Sequence, residues 1–283
     1  MRLLLILGIS SILTSSLAAQ AVLEVRLLSE NITGLSDGER MFDSGLSTPI
    51  PWPDSSGNGR DAAGTDIFTS PFYDAAEVGV FGNQPFVRAQ SGDYLVGATP
   101  TLADWGMSSF VVAQIDQAGA VFSLGNSGSS VGYILLSATA DGNLTVGWRG
   151  TNFSINFTSS TGLNVFGEEH LFAVDFRAKD DIEVFVDGVS VLVHNTATSS
   201  SVGITSIDRY GIGVNARSTL SDGNGIQVAA AEFYTGALAA GQMDSISQSL
   251  ADTYGVNLIP EPSHYAMLFG AAMLFGLMIR RRV

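Results

Sequence analysis

Two pairs of oxygen-bearing side chains, Asp54 with Asn58 and Asp222 with Asn224, stand on glycine-rich stretches of this sequence. Carboxylate and amide oxygens on such loops are the ligand type that calcium prefers. The same residues build turns, through Asx hydrogen bonds and tolerance of positive φ, so both roles are open for each pair. A third carboxylate pair is Glu183 with Asp187, in Glu183-Val-Phe-Val-Asp187. Glycoside hydrolysis works with two carboxylates, but Asp187 is followed by Gly188 and is better explained as a hairpin turn residue.

Other catalytic schemes lack their parts. The chain has no cysteine and three histidines, His170, His194 and His264. That leaves no thiolate nucleophile, thiolate metal site or disulfide. No Gly-x-Ser-x-Gly elbow and no His-Glu-x-x-His helix is present. His170 opens an apolar strand, the setting of a structural histidine. Trp52, Trp105 and Trp148 could stack on sugar rings or fill a core, and core use is the commoner in sandwiches.

The elements that must position these residues read as short strands. Apolar alternation or short apolar runs, bounded by Gly, Asn, Asp and Ser, mark Val22–Leu28, Tyr94–Val96, Ser109–Ile115, Ala120–Leu124, Gly132–Leu136, Leu144–Trp148, Phe153–Phe157, His170–Phe176, Ile182–Val186, Ser190–Val193, Tyr210–Val214 and Ile226–Phe233. Asp187-Gly188 and Asp141-Gly142-Asn143 read as tight turns. Strands without interleaved long helices predict an all-β, two-sheet sandwich. One amphipathic helix is expected near the end, with Met243, Ile246, Leu250 and Tyr254 on one stripe, Gly255 as its stop, and a seat at the sandwich edge.

Charge narrows the partners. Four of the 13 basic residues (Arg2, Arg280, Arg281, Arg282) and one of the 27 acidic residues (Glu261) lie at the ends. The middle therefore carries nine basic against 26 acidic residues, a net charge of −17. Neutralising phosphates needs clustered Lys and Arg, so nucleic acid is not an expected partner.

The ends read as export signals. Residues 1–21 have a basic start at Arg2, an apolar run over 3–13, and an Ala19-Gln20-Ala21 cleavage site, the pattern of a signal peptide. Residues 257–283 hold Pro260-Glu261-Pro262, an apolar stretch over 265–279 and then Arg280-Arg281-Arg282. As a helix the apolar stretch is about 22 Å long, short for a bilayer core of about 30 Å, yet able to insert where flanking residues snorkel. The arginines should stay cytoplasmic, which places the middle outside.

This tail resembles the PEP-CTERM sorting signal. The resemblance implies processing by an exosortase, transient anchoring in the inner membrane of a Gram-negative bacterium, and delivery to the cell surface or extracellular matrix. Residues 22–256 are in turn similar to laminin-G-like, concanavalin A-like domains. Trp52-Pro53-Asp54-Ser55-Ser56-Gly57-Asn58-Gly59-Arg60-Asp61-Ala62 looks like the family's W-x-D-x-SGNG-x-x-A segment. Gln84 to Arg88, Gly92 to Leu95, the 182–193 hairpin and Glu232-Phe233-Tyr234 follow in the family's order. That resemblance implies a jelly-roll sandwich that binds carbohydrate or protein, in some members with calcium. Ala89-Gln90-Ser91-Gly92 departs from the family's F-D-G, which removes an acidic residue and weakens a calcium role at that loop. Glucanases share the superfold, but their Glu-x-Asp-x-Glu strand lacks its middle carboxylate here. The expectation is a non-catalytic module for exopolysaccharide, with a structural matrix or surface protein, or else a glucanase-type hydrolase, as alternatives.

Overall fold

A computed structural model describes residues 21–259 apart from 103–105, 131, 150–153, 159–162, 179–180, 196–206, 222–224 and 237; for 100–102, 148–149, 154–158, 178, 195 and 240 it describes the backbone alone. The strands are β1 Val22–Leu28, β2 Glu39–Arg40, β3 Phe42–Asp43, β4 Thr48–Pro49, β5 Phe72–Asp74, β6 Phe86–Ala89, β7 Leu95–Leu102, β8 Met107–Ile115, β9 Gly119–Gly125, β10 Tyr133–Ala138, β11 Leu144–Arg149, β12 Ser154–Thr158, β13 Glu169–Ala178, β14 Asp181–Val186, β15 Val189–Asn195, β16 Ile207–Ile212 and β17 Ile226–Thr235, followed by the helix α1, Ala240–Tyr254. Each apolar-periodic strand expected from the sequence is present. The additions are β2 to β6, too short or too mixed in composition to show a period.

Two sheets face each other. One has nine strands in the order β15-β14-β13-β8-β17-β6-β5-β2, with β1 also pairing β17; the other has six, β12-β11-β10-β9-β16-β7. Alternation along each strand sends Val111, Ala113, Ile115, Phe172, Val174, Phe176 and Phe233 from the first sheet into a core shared with Leu124, Ile134, Leu136, Tyr210 and Ile212 of the second. Trp52 is fully buried in the same core. The expected turn at Asp187-Gly188 joins β14 to β15 with φ of 52° and 80°, the paired positive values of a type I′ turn.

The helix forms where its stripe was expected but sits elsewhere than expected. It lies on the outer face of the nine-stranded sheet, not at its edge. Met243, Leu250, Ala251 and Tyr254 bury against Phe110, Val112, Leu171, Ala173 and Ala230, outward-pointing residues of β8, β13 and β17. These strands are apolar on both faces, so the sheet needs a second cover. Gly255, at φ 71°, ends the helix, and the Val256 N–H bonds back to the Ala251 carbonyl.

Ala21 begins the described region, while Ala19, the 265–279 stretch, Pro260, Glu261, Pro262 and Arg280–Arg282 lie outside it. Among the described residues no helix is long and apolar enough to cross a membrane.

Candidate functional site

The first predicted pair is a turn-building device. One oxygen of Asp54 accepts the N–H groups of Arg26 and Ser56, both at 2.9 Å, and the other accepts the Arg60 N–H at 3.0 Å and the Ser56 hydroxyl at 2.8 Å. Burial works against the charge, but the Arg26, Arg60 and Ser56 N–H donors outweigh it and hold the Asp54 carboxyl below its ordinary range. Asn58 donates its amide to the Leu23 and Glu24 carbonyls at 3.1 and 3.0 Å. Together they fasten the 52–62 loop to β1. Asp222 and Asn224 lie outside the described residues, as does Trp105. Among the described residues no group of three or more His, Asp or Glu side chains is placed to hold a metal ion.

The hydrolase pair is not brought together. Glu183 points outward from β14, where it meets Arg177 and accepts the Ser190 hydroxyl at 2.6 Å. Its cross-strand neighbour is Asp175, which the sequence reading did not single out. Arg177 reaches both carboxylates, lying 2.9 Å from Asp175. Burial pushes the Asp175 carboxyl up, with the Ser108 hydroxyl and Arg177 opposing the shift. Asp175 is 4% exposed and forms the buried end of an ion cluster whose Arg177 side chain is 40% exposed.

Beyond the helix, the outer face of the nine-stranded sheet is open and polar. Strand register lines up Glu169, Gln114, Gln227, Arg88, Phe72 and Arg40, one from each of β13, β8, β17, β6, β5 and β2. Register partners share a face. At about 4.8 Å per strand the row spans about 24 Å. A groove of about 470 Å³ opens over it, lined by Arg88 and Gln227 of the row together with Phe86, Asp37, Asp74 and Glu77.

Arg88 is fixed by its neighbours. Its Nε and Nη2 donate to the two oxygens of Asp74 at 2.7 and 3.0 Å. That fork raises the Arg88 pKa, against the opposing effect of burial. The Arg88 guanidinium also lies 5.2 Å from the Phe72 ring centroid, and Arg40 lies 4.2 Å from it. Chemically the groove offers preset planar donors and acceptors with Phe86 beside them, a lining more polar than that of most small-ligand sites. Sequence reading missed Gln114 and Gln227. The available signal was a lone amide within an apolar strand, Val-Val-Ala-Gln-Ile and Ile-Gln-Val-Ala-Ala.

Comparison with known proteins bears on the fold. No protein-family model and no curated protein sequence matches this chain. The receptor binding domain of botulinum neurotoxin D superposes with a TM-score of 0.52 at 9% identity, over 80% of this chain and 52% of the toxin chain. This chain thus spans about half the length of that neighbour. At that identity the likeness shows a shared β-sandwich fold. The CBM40 module of the Ruminococcus gnavus IT-sialidase, solved with α2,3 sialyllactose, gives a TM-score of 0.42 at 15% identity, over 51% of this chain and 83% of that one.

Proposed function

We propose that this protein is a non-catalytic carbohydrate-binding module, exported and delivered to the cell surface or extracellular matrix, and that the outer groove of the nine-stranded sheet holds its glycan. The observation carrying this reading is the in-register row Glu169–Gln114–Gln227–Arg88–Phe72, with the groove lying over its Gln227–Arg88 centre. Planar amides, carboxylates and guanidinia pair with adjacent sugar hydroxyls as donor and acceptor together. Strands hold such groups in fixed positions, which limits the ordering cost of binding. The sandwich fold is shared with a toxin domain named for receptor binding, and the concanavalin A-like, jelly-roll character expected from the Trp52–Ala62 segment agrees with it.

The sorting part of the proposal rests on the ends. A signal peptide over 1–21 and the Pro260-Glu261-Pro262 motif with its apolar stretch and Arg280–Arg282 give an exosortase substrate, anchored transiently in the inner membrane. A matrix exopolysaccharide is then the ligand within reach.

The test is a glycan and exopolysaccharide screen with the purified chain, with calcium and with chelator, comparing wild type with Gln227→Ala and Arg88→Ala. Binding that survives chelation and is lost in both variants supports the groove. Binding untouched by either substitution, or none to any polymer, would sink it.

A further inference from the structure

We infer that the outer face of the six-stranded sheet carries a second binding site, built on Arg209, Arg217 and Asn215, for a carboxylate-bearing sugar. The site lies on the opposite side of the sandwich from the groove and does not depend on it.

Its frame is a strap. After β16 the segment 213–221 folds back over the outer face of its own sheet. The Ser123 hydroxyl donates to the Val214 carbonyl at 2.6 Å and accepts the Ala216 N–H at 2.8 Å. Position 125 must be glycine for this, because a Cβ there would run into the Ala216 carbonyl. Arg209 sits directly opposite Gly125 across the β16–β9 pair and donates from Nε to that carbonyl at 3.3 Å. Arg217, on the strap, holds its guanidinium 5.8 Å from the ring centroid of Tyr133 on β10.

The guanidinia in this frame meet only neutral oxygens among the described residues: Arg217 donates from Nη2 to the Ser221 hydroxyl at 2.9 Å, as Arg209 does from Nε to the Ala216 carbonyl. The other five arginines with described side chains, Arg26, Arg40, Arg60, Arg88 and Arg177, each have a carboxylate within 4 Å. Arg209 and Arg217 have none among the described residues. The nearest acid in sequence, Asp208, spends its two oxygens on the N–H and hydroxyl of Ser127, at 2.8 and 2.7 Å. Among the described residues, Nη2 of Arg209, Nε of Arg217 and Oδ1 of Asn215 are buried without a hydrogen-bond partner, and Asn215 as a whole is 2% exposed. Burial lowers the Arg209 pKa, and the nearby Asp208 and Tyr94 offset it only in part. Buried polar groups in folded proteins are almost always paired. Three orphans within one nine-residue stretch, two of them on guanidinia in a chain of net charge −14, mark a place completed by a ligand.

The donors define that ligand. Guanidinium forks match a carboxylate. Free inorganic anions would satisfy the arginines but leave the Asn215 oxygen unused. A sugar acid supplies both parts: a carboxylate for the guanidinia and a hydroxyl for Asn215.

The experiment is calorimetric titration of the purified full chain with a galacturonate oligomer, its methyl ester and sodium sulfate. The acid oligomer should bind at least tenfold more tightly than the ester or sulfate, and more weakly as salt rises. Arg209→Gln and Arg217→Gln should each weaken it at least tenfold, while Gln248→Ala on the exposed face of α1 leaves it unchanged. Asn215→Asp guards against an arginine variant that fails to fold: a carboxylate on the strap, two residues before Arg217, should repel the acid oligomer and abolish its binding. Equal binding of ester and acid, equal binding of sulfate and the oligomer, no binding of the oligomer, or unchanged affinity in folded Arg217→Gln overturns the site.

Discussion

The carboxylate of Asp187 lies 2.7 Å from Nδ1 of His170, and its other oxygen accepts the Leu171 N–H at 2.8 Å. Asp187 is also the first residue of the β14–β15 turn at φ 52°, and its carbonyl accepts the N–H of Ile259 at 2.9 Å. One turn residue therefore ties the hairpin to β13 and to the chain leaving α1. The sequence placed His170 as structural and Asp187 as a turn former; their contact explains both.

That arrangement separates two substitutions. Asn at position 187 tolerates positive φ and keeps an acceptor, so Asp187→Asn should cost about 1 kcal/mol. Asp187→Ala meets αL strain of about 1–2 kcal/mol and leaves the Leu171 N–H unpaired, for a total of about 3 kcal/mol. Equilibrium unfolding in urea measures both. Equal losses would show that the side chain does not hold the turn.

Two carboxyls should oppose each other in the pH dependence of stability. The Asp54 pKa is lowered from the usual 3.8, so its contribution is present above that value and fades as pH falls through the lower folded value. The Asp175 pKa is raised, so its contribution is full below 3.8 and is lost as pH rises through the folded value. Asp54→Asn is thus expected to destabilise most at neutral pH, with the deficit shrinking in acid. Asp175→Asn is expected to stabilise at neutral pH, with the gain vanishing in acid. Urea titrations at a series of pH values test the signs, and parallel profiles for the two variants would contradict them.

The strands were legible because their apolar residues repeat with the period of the pleat, as in Leu144–Arg149 or Asp181–Val186. The groove was not, because its row joins residues far apart in the chain. Glu169 meets Gln114 and Gln227 meets Arg88 only once the sheet order brings β13, β8, β17 and β6 side by side. No local pattern encodes that order. The helix seat escaped for a related reason: apolar residues on both faces of β8 and β17 read as core without saying which layer covers the second face. The role of the 52–62 loop was half legible, since Asp and Asn in a glycine-rich loop serve a metal and a turn equally well. Only the positions of the Arg26, Ser56 and Arg60 N–H groups show what Asp54 is used for.

In the groove, stability and binding should come apart. The Gln227 amide lines an open face, so Gln227→Ala should leave the unfolding free energy within about 0.5 kcal/mol of wild type. The same change should weaken glycan binding several-fold, the equivalent of about 1 kcal/mol for one hydrogen bond. Arg88→Lys keeps the charge but loses the two-pronged bond to Asp74 and the fit over Phe72, and should weaken binding at least as much. Parallel melting and glycan titrations decide it. A large fall in melting temperature for Gln227→Ala would make the residue structural.

The end of α1 should undock as a unit when its seat is filled. Gly82, at φ 63°, and Gly255, at φ 71°, meet backbone to backbone; a Cβ on Gly82 would stand 2.9 Å from the Gly255 nitrogen and the Tyr254 carbonyl carbon. This approach lets Tyr254 bury and donate its hydroxyl to Glu30 at 2.9 Å. Gly82→Ala adds αL strain of about 1–2 kcal/mol and forces the two backbones apart. Amide exchange should then quicken over 243–256 while β8 and β13 keep their protection, because the inner core stays packed. The ring of Phe81 rests 5.4 Å from that of Phe86, which lines the groove, so glycan binding should weaken as well. Faster exchange spread evenly over the sheet would mean that helix and sandwich open together, and that the second layer is part of one cooperative core.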